Sequence, residues 1–445
     1  MKEYTMMKSY PRVLIISHNP LSDSQNNGKT LKNFFIGWPQ DSIAQLYFSQ
    51  DTPSFSICNN YFQITDLEIL KSLLNKSIEV GQIITLNNIE ANNKDKEIVS
   101  NNWMYQYIKK RFIKRSPSFY YLRDYCWGKK TWNNHKLSSW LDKFNPQIIF
   151  FQSSNCPFAF DIVEHIAAIY SAKIIMQTTD DYLMSKFSLN VFFWINLQKL
   201  KTKYKLLSQK CILIIPIGDK MKQKYCEMFP GKYYVAMNSV KTNSEIYEKK
   251  LNPNNVILFY AGNLGLNRWK VISKIAEALL EIKEEGKYNV SMEIFSLVRP
   301  EEKIIKRLSR DHVSVFKGAL NNTEVNHKIS ESDILIHVES FDRQNRYITR
   351  YSISTKIPEY FASNRIVFAV GPSDVASIQY IKENNAGYTV SQNSKKAIKK
   401  ALLELLENDE ERHNSITIAH KLAEDRHNEI TIRNYLKEFI QNAID

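Results

Sequence analysis

The sequence has little of what marks irregular chains: 12 glycines and 13 prolines in 445 residues. It also lacks any low-complexity tract or short-period repeat, which argues against disorder and against a solenoid. Its five cysteines (Cys58, Cys126, Cys156, Cys211, Cys226) are odd in number and scattered, with no CxxC pair and no His-rich neighbourhood. That pattern speaks against a disulfide framework and against a zinc site, and fits reduced thiols in the cytosol. No apolar run approaches the length of a membrane helix. The opening MKEYTMMKSYPRVLIIS offers only Val13–Ile16, read as a first strand and not as a secretory signal. The expectation is a soluble cytoplasmic protein, with peripheral attachment at the inner face of the cell membrane left open.

What is present begins with positive charge. The formal net charge is +14, unevenly spread. From Trp103 to Trp140 nine Lys/Arg and one acid, Asp124, alternate with eleven aromatics; from Lys186 to Lys210 there are six Lys and no acid. Such stretches attract nucleic acid, anionic lipid or a phosphate-bearing substrate. A solvated basic face explains either stretch equally well.

A hydrophobic fraction of 43% over this length is enough for two cores. Short apolar runs alternate with amphipathic stretches, the mark of βα units around a parallel sheet. In the first half, strands are expected at Val13–Ser17, Ile43–Phe48, Gln147–Gln152, Lys173–Gln177, Cys211–Ile215 and Lys232–Ala236. Helices are expected at Gly28–Ile36, Phe158–Tyr170, Lys186–Ser208 and Asp219–Met228, with helical and loop insertions from about Ser54 to Leu141. The polar stretch Asn238–Asn255 reads as a linker. A second series follows, with strands at Val256–Tyr260, Val290–Phe295, Val313–Phe316, Ile334–Val338 and Ile366–Val370. Its helices include Trp269–Glu284, Ser354–Ala362, Lys395–Glu407 and Asp409–Glu424. The expected domains are 1–240 and 250–426, with a last helix in 427–445 packing back on the first.

The most specific region is ILIHVESFDRQNRYITRYSISTKIPEYFASNRIVFAVGP, Ile334 to Pro372. A strand and a variable loop lead into Ser354-x-Lys356-x-x-Glu359-Tyr360-x-Ala362-Ser363, then a second strand. A helix opening near Ser352 and Ser354 offers backbone N–H groups and the positive end of its dipole, suited to a diphosphate. Thr355 lies in the same turn. Lys356 adds a point charge and Arg350 can add a second; Glu359 is placed to take two ribose hydroxyls. The stretch LFYAGNLGLNRWK contributes Gly262 and Gly265 for close backbone approach, Asn263, and the cations Arg268 and Lys270. In VSVFKGAL, Phe316 suits either a nucleobase edge or the core. These pieces resemble the nucleotide-sugar site of GT-B glycosyltransferases, in particular retaining family 4 enzymes such as bacterial capsule and lipopolysaccharide transferases. The resemblance implies an α/β fold: two Rossmann-like doubly wound parallel-sheet domains with a central cleft, the second holding the donor. The family pattern has two glutamates, the second matching Glu359; the first position holds Tyr351. Glu339 is the candidate substitute, with Asp342 beside it, against the alternative of a solvated loop charge. Asn263 stands where the family often has arginine.

In the first half, SHNPLSDSQNNGKTLKNFF follows the first strand. Its Gly28-Lys29-Thr30 is no P-loop, since Asp23 stands where a glycine is required. The resemblance places this loop near the acceptor, with His18, Asn27 and Gly28 facing it; His18 is either a base or a structural histidine. Asp180 and Asp181 follow another strand at the same edge, as acceptor-side carboxylates or as helix caps.

The resemblance implies transfer of a sugar from a nucleoside-diphosphate sugar to an acceptor hydroxyl. Anomeric configuration would be retained, with no metal and no cofactor beyond the donor. Partners would be a glycan or lipid-linked acceptor in envelope synthesis and an anionic membrane surface; no nucleic acid is expected. The competing readings are a nucleotide-sugar epimerase of the same fold and a basic nucleic-acid-binding protein.

Overall fold

The computed structural model describes residues 10–23, 26–87, 117–184, 188–242, 249–310 and 313–444. Part of the basic, aromatic stretch (103–116), part of the linker (243–248) and the start of the expected helix at Lys186 (185–187) lie outside them. The chain forms two compact units, Met1–Val235 with Ile432–Asp445, and Ala236–Thr431.

The first unit holds a seven-stranded sheet built from β1 (Val13–Ser17), β2 (Ile43–Tyr47), β3 (Asn60–Gln63), β4 (Gln82–Ile84), β5 (Ile148–Gln152), β6 (Lys173–Thr178) and β7 (Cys211–Pro216). Its order is β4-β3-β2-β1-β5-β6-β7. All neighbours are parallel except β3 and β4. Strands β1 and β5 are buried along their whole length, as expected for a parallel sheet covered on both faces. Each fully buried Ile, Leu or Phe there contributes about 1.5–3 kcal/mol. The final helix, Glu429–Ile444, belongs to this unit from Ile432 on. Tyr435 stacks on Tyr234 at 3.7 Å, and Arg433 donates to the carbonyl of Asn33.

The second unit holds β8 (Val256–Ala261), β9 (Val290–Phe295), β10 (Ser314–Gly318), β11 (Ile334–Val338), β12 (Ile366–Val370) and β13 (Tyr388–Val390). All pair in parallel, in the order β10-β9-β8-β11-β12-β13. This is the doubly wound Rossmann order, whose ligands sit where the strand order reverses. Here that is between β8 and β11. Helix Arg268–Glu284 buries Val271, Ile272, Ile275, Ala276, Leu279 and Ile282 against the sheet.

Several expectations need correction. The 54–141 stretch contains β3 and β4, both short and flanked by polar residues. No strand forms at Lys232–Ala236: Tyr233 makes one isolated bridge to Ile214 before the chain passes into the second unit. The basic helix begins at Val191, where the Asn190 side chain caps Phe192 N–H. The helix expected from Ser354 begins at Ile357 and is five residues long. Pro358 has no N–H and suits only a first turn, which fixes the late start. Helices Asn322–Glu331, Arg343–Thr349 and Ala376–Glu383 were not foreseen.

Candidate functional site

At the carboxyl end of β8 the chain runs through Gly262–Asn267 and enters helix Arg268–Glu284. At the end of β11 it runs through Glu339–Asp342 and enters helix Arg343–Thr349. These two loops are tied together. Arg268 Nη2 donates to both Glu339 oxygens, at 3.1 and 3.0 Å, and Nε reaches Oε2 at 3.3 Å. Asn267 donates to Asp342, Lys270 lies 3.5 Å from Asp342, and Asn345 donates to the carbonyl of Leu266 at 2.8 Å. Leu266 and Asn267 both take left-handed backbone angles, φ 55° and 60°, which is unusual for a leucine. Asn263 folds its side chain onto Gly265 N–H at 2.7 Å.

Lys356 completes the group. Its ammonium donates to the carbonyl of Ala261. A Cβ on Gly262 would lie 2.5 Å from Lys356 Nζ and 2.8 Å from Tyr260 Oη, so glycine is what admits the lysine to the end of β8. Burial, reinforced by the nearby Arg268 charge, pulls Lys356 down to about 8. Burial pushes the Glu339 carboxyl above its ordinary range, against the pull of Arg268. His337, inside β11, is held at about 3 by burial and then by the Arg268 and Lys356 charges, so its ring is neutral. Its Nε2 lies 3.8 Å from Glu339 Oε1 and has no hydrogen-bond partner among the described residues. Arg268 and Lys356 are thus fixed beside the Glu339 and Glu359 carboxylates in a poorly solvated place, where cations held by the fold can face an anion.

The other residues named from the sequence fall in different places. Glu359 is the third residue of helix Ile357–Phe361, and its charge acts on Lys356. The carbonyl of Thr355 accepts from Asn238 at 3.3 Å. The expectation of open N–H groups at Ser352 and Ser354 is corrected: the first bonds the carbonyl of Thr349 and the second Ser377 Oγ at 3.0 Å. Arg350 faces Asp374 at 3.6 Å, alongside Arg346. Phe316 lies half-buried on the edge strand β10, packed against the core.

In the first unit the strand order reverses between β1 and β5. His18 follows β1, and its carbonyl accepts from Phe48 and Ser49 N–H. Burial and the Arg123 charge hold its ring down to about 4. Asn27 and Gly28 lie in helix Asn26–Phe35. A Cβ on Gly28 would run into the carbonyl oxygen of Pro20 and the Ser22 side chain, so the close approach there is by the chain's own loop. Asp181 is buried and braces a turn, accepting from Leu183 and Met184 N–H at 3.1 Å and from Tyr225 at 3.0 Å. Asp180, half-buried, accepts from Tyr182 at 3.0 Å.

Two groups were missed. Beside His18, Arg123 donates to Asp66 at 2.7 Å and to Cys156 Sγ at 2.9 Å, and Trp127 donates to Asp66 at 2.7 Å. No local motif announces that set. His337 could have been noticed as the one polar residue in ILIHV.

No protein-family model and no curated protein sequence matches the chain. Solved structures do. HepE from Anabaena, in complex with UDP, aligns with a TM-score of 0.61 at 12% identity, covering 97% of this chain and 100% of that one. Sucrose-phosphate synthase from Thermosynechococcus elongatus aligns at 0.62 and 9% identity, over 97% and 99%. A UDP-forming α,α-trehalose-phosphate synthase from Burkholderia vietnamiensis aligns at 0.56 and 8% identity, over 97% and 100%. At such identities the likeness is one of fold: two Rossmann-like α/β domains of the GT-B class.

Proposed function

We propose that the chain is a glycosyltransferase moving a sugar from a nucleoside-diphosphate sugar to an acceptor hydroxyl. One observation carries the reading: Lys356 occupies the space beside Gly262, near enough to the Glu339-held Arg268 for the two charges to act on each other, where the second sheet reverses its order. A departing diphosphate accumulates negative charge, and fixed cations in a poorly solvated site stabilise it in the transition state. Lys270 adds a third positive group at the rim, and Glu359 is assigned to the ribose. Gly262, Asn263, Ser354 and Thr355 shape the backbone around the donor, and Phe316 is assigned to the base. HepE structures hold UDP and UDP-glucose, so a UDP-sugar is the donor to try first.

On the acceptor side the reading assigns His18 and Asp180 as proton-accepting groups, with Asn27, Gly28 and Asp181 shaping that loop end. Retention of configuration and independence of a divalent ion follow from the resemblance to family 4 enzymes; activity in excess chelator tests the second. A glycan or lipid-linked acceptor of envelope synthesis, met at the cytoplasmic face of an anionic membrane, suits the exposed Leu189, Val191, Phe192, Trp194 and Ile195 beside exposed lysines. No helix of the described residues is long and apolar enough to cross a membrane.

The test is a thermal-shift panel of nucleoside diphosphates and their sugars on wild type and Glu359→Ala. A ligand at about a hundred times its Kd adds about 2.7 kcal/mol. Stabilisation by one base family, lost in the variant, is expected. No response to any member of the panel overturns the reading. Product that forms only with added acceptor separates transfer from epimerisation.

A further inference from the structure

Glu339 was first read as a stand-in for a sugar-contacting carboxylate, and its geometry argues for a different job. Both its oxygens are engaged by Arg268, and its side chain is 4% exposed. Reaching a sugar hydroxyl would mean giving up that grip and leaving a half-buried guanidinium without its counter-charge, an unfavourable exchange. The grip is side-on: Nε and Nη2 are held, while Nη1 makes no hydrogen bond among the described residues and the Arg268 side chain keeps 18% of its surface exposed. An arginine fork is useful to a phosphate only when its plane is fixed.

We propose that Glu339 is a positioning residue: it locks the Arg268 guanidinium along its Nε–Nη2 side and turns the Nη1 corner toward a diphosphate bound at the ends of β8 and β11. The surroundings fit this role. Asn267–Asp342 and Asn345–Leu266 fix the backbone on which Arg268 stands. The neutral His337 packs beside Glu339 without adding charge. Asn263 is turned onto Gly265, and among the described residues Arg268, Lys356 and Lys270 are the cations on these loops assigned to phosphate. Misorienting one of three is then costly.

The inference rests on the donor reading of this site, and its tests separate the two. Kd is measured for UDP, UDP-glucose and uridine on wild type, Arg268→Leu, Glu339→Leu and the double variant, with ligand-free Tm as the control for folding. Each single change is expected to weaken UDP and UDP-glucose equally, by about tenfold or more, and to leave uridine unchanged. The double variant should bind no worse than Arg268→Leu, because Glu339 acts only through the arginine. Glu339→Gln, which keeps one acceptor and the same shape, should fall between, and it carries the test if the leucine variant does not fold. Simple charge repulsion makes the opposite forecast: removing a carboxylate beside an anion seat tightens UDP. Tighter or unchanged UDP binding therefore overturns the proposal. So does a loss confined to UDP-glucose, which would return Glu339 to the sugar. A wild type that ignores UDP overturns the donor reading and this inference with it.

Discussion

Around the carboxyl ends of β1, β5 and β6 the first unit braces its loops with its own groups. Gly28 is pressed by its own loop, Asp181 is engaged by two amides and Tyr225, Arg123 is held by Asp66 and Cys156, and His18 is neutral. At the corresponding place in the second sheet Glu339 grips Arg268, and Lys356 rests on the carbonyl of Ala261 with the Glu359 and Glu339 charges acting on it; burial, then the Arg268 charge, pulls its pKa down to about 8. The same topology thus gives one end braced by the chain's own contacts and another where two cations stand together. A switch point supplies a place; the charges fixed there decide what it can take.

The comparison breaks most visibly at Lys356. Lys356→Met is expected to weaken UDP about a hundredfold, the loss of a charge-assisted contact in a dry site. It should not lower the ligand-free Tm, because a partly desolvated ammonium is itself destabilising. Binding by calorimetry and melting by fluorescence read the two effects separately. Next comes the pair of glycines. Gly262→Ala displaces the Lys356 ammonium and should cost about tenfold in UDP affinity with little change in stability. Gly28→Ala meets backbone instead and should destabilise the fold by about 1–3 kcal/mol in urea unfolding, leaving UDP affinity as it was. Alkali gives a graded version of the first effect. Lys356 is charged below about 8 and neutral above it. UDP affinity should therefore hold steady up to that pH and then fall about tenfold per pH unit until the pKa of the complex is reached. The smallest effect is expected from Asp181→Asn. It should cost about 1–2 kcal/mol of stability and nothing in UDP binding; weakened UDP binding would show that the first unit shares in the donor site.

Much of the framework could be read from residue order. VLIIS, IIFFQ, VILFYA and ILIHV are runs that both faces of a parallel sheet must bury, and each became a strand. Strands β3 and β4 escaped because NYFQ and QII are too short and polar-flanked to stand out by period. The Ser354 helix was placed too early because Ser suggests a cap, while Pro358 and the Ser377 hydroxyl decided the matter. Gly262, Arg268 and Lys356 were named from motif and do come together. What the sequence did not show is that Glu339 grips Arg268 from 71 positions away, or that Asn263 folds onto Gly265. Such pairings depend on loop conformations, including the left-handed Leu266–Asn267 turn, which carries no glycine signal.

The return of the last helix to the first unit bears on how the molecule is made. Met1–Val235 lacks its last helix until Ile432–Asp445 has been synthesised, whereas Ala236–Thr431 is contiguous. The last helix is therefore a long-range closure for the first unit, whereas the second closes within its own span. A chain cut before Ile432 would leave uncovered Tyr234 and the carbonyl of Asn33, which the last helix otherwise meets.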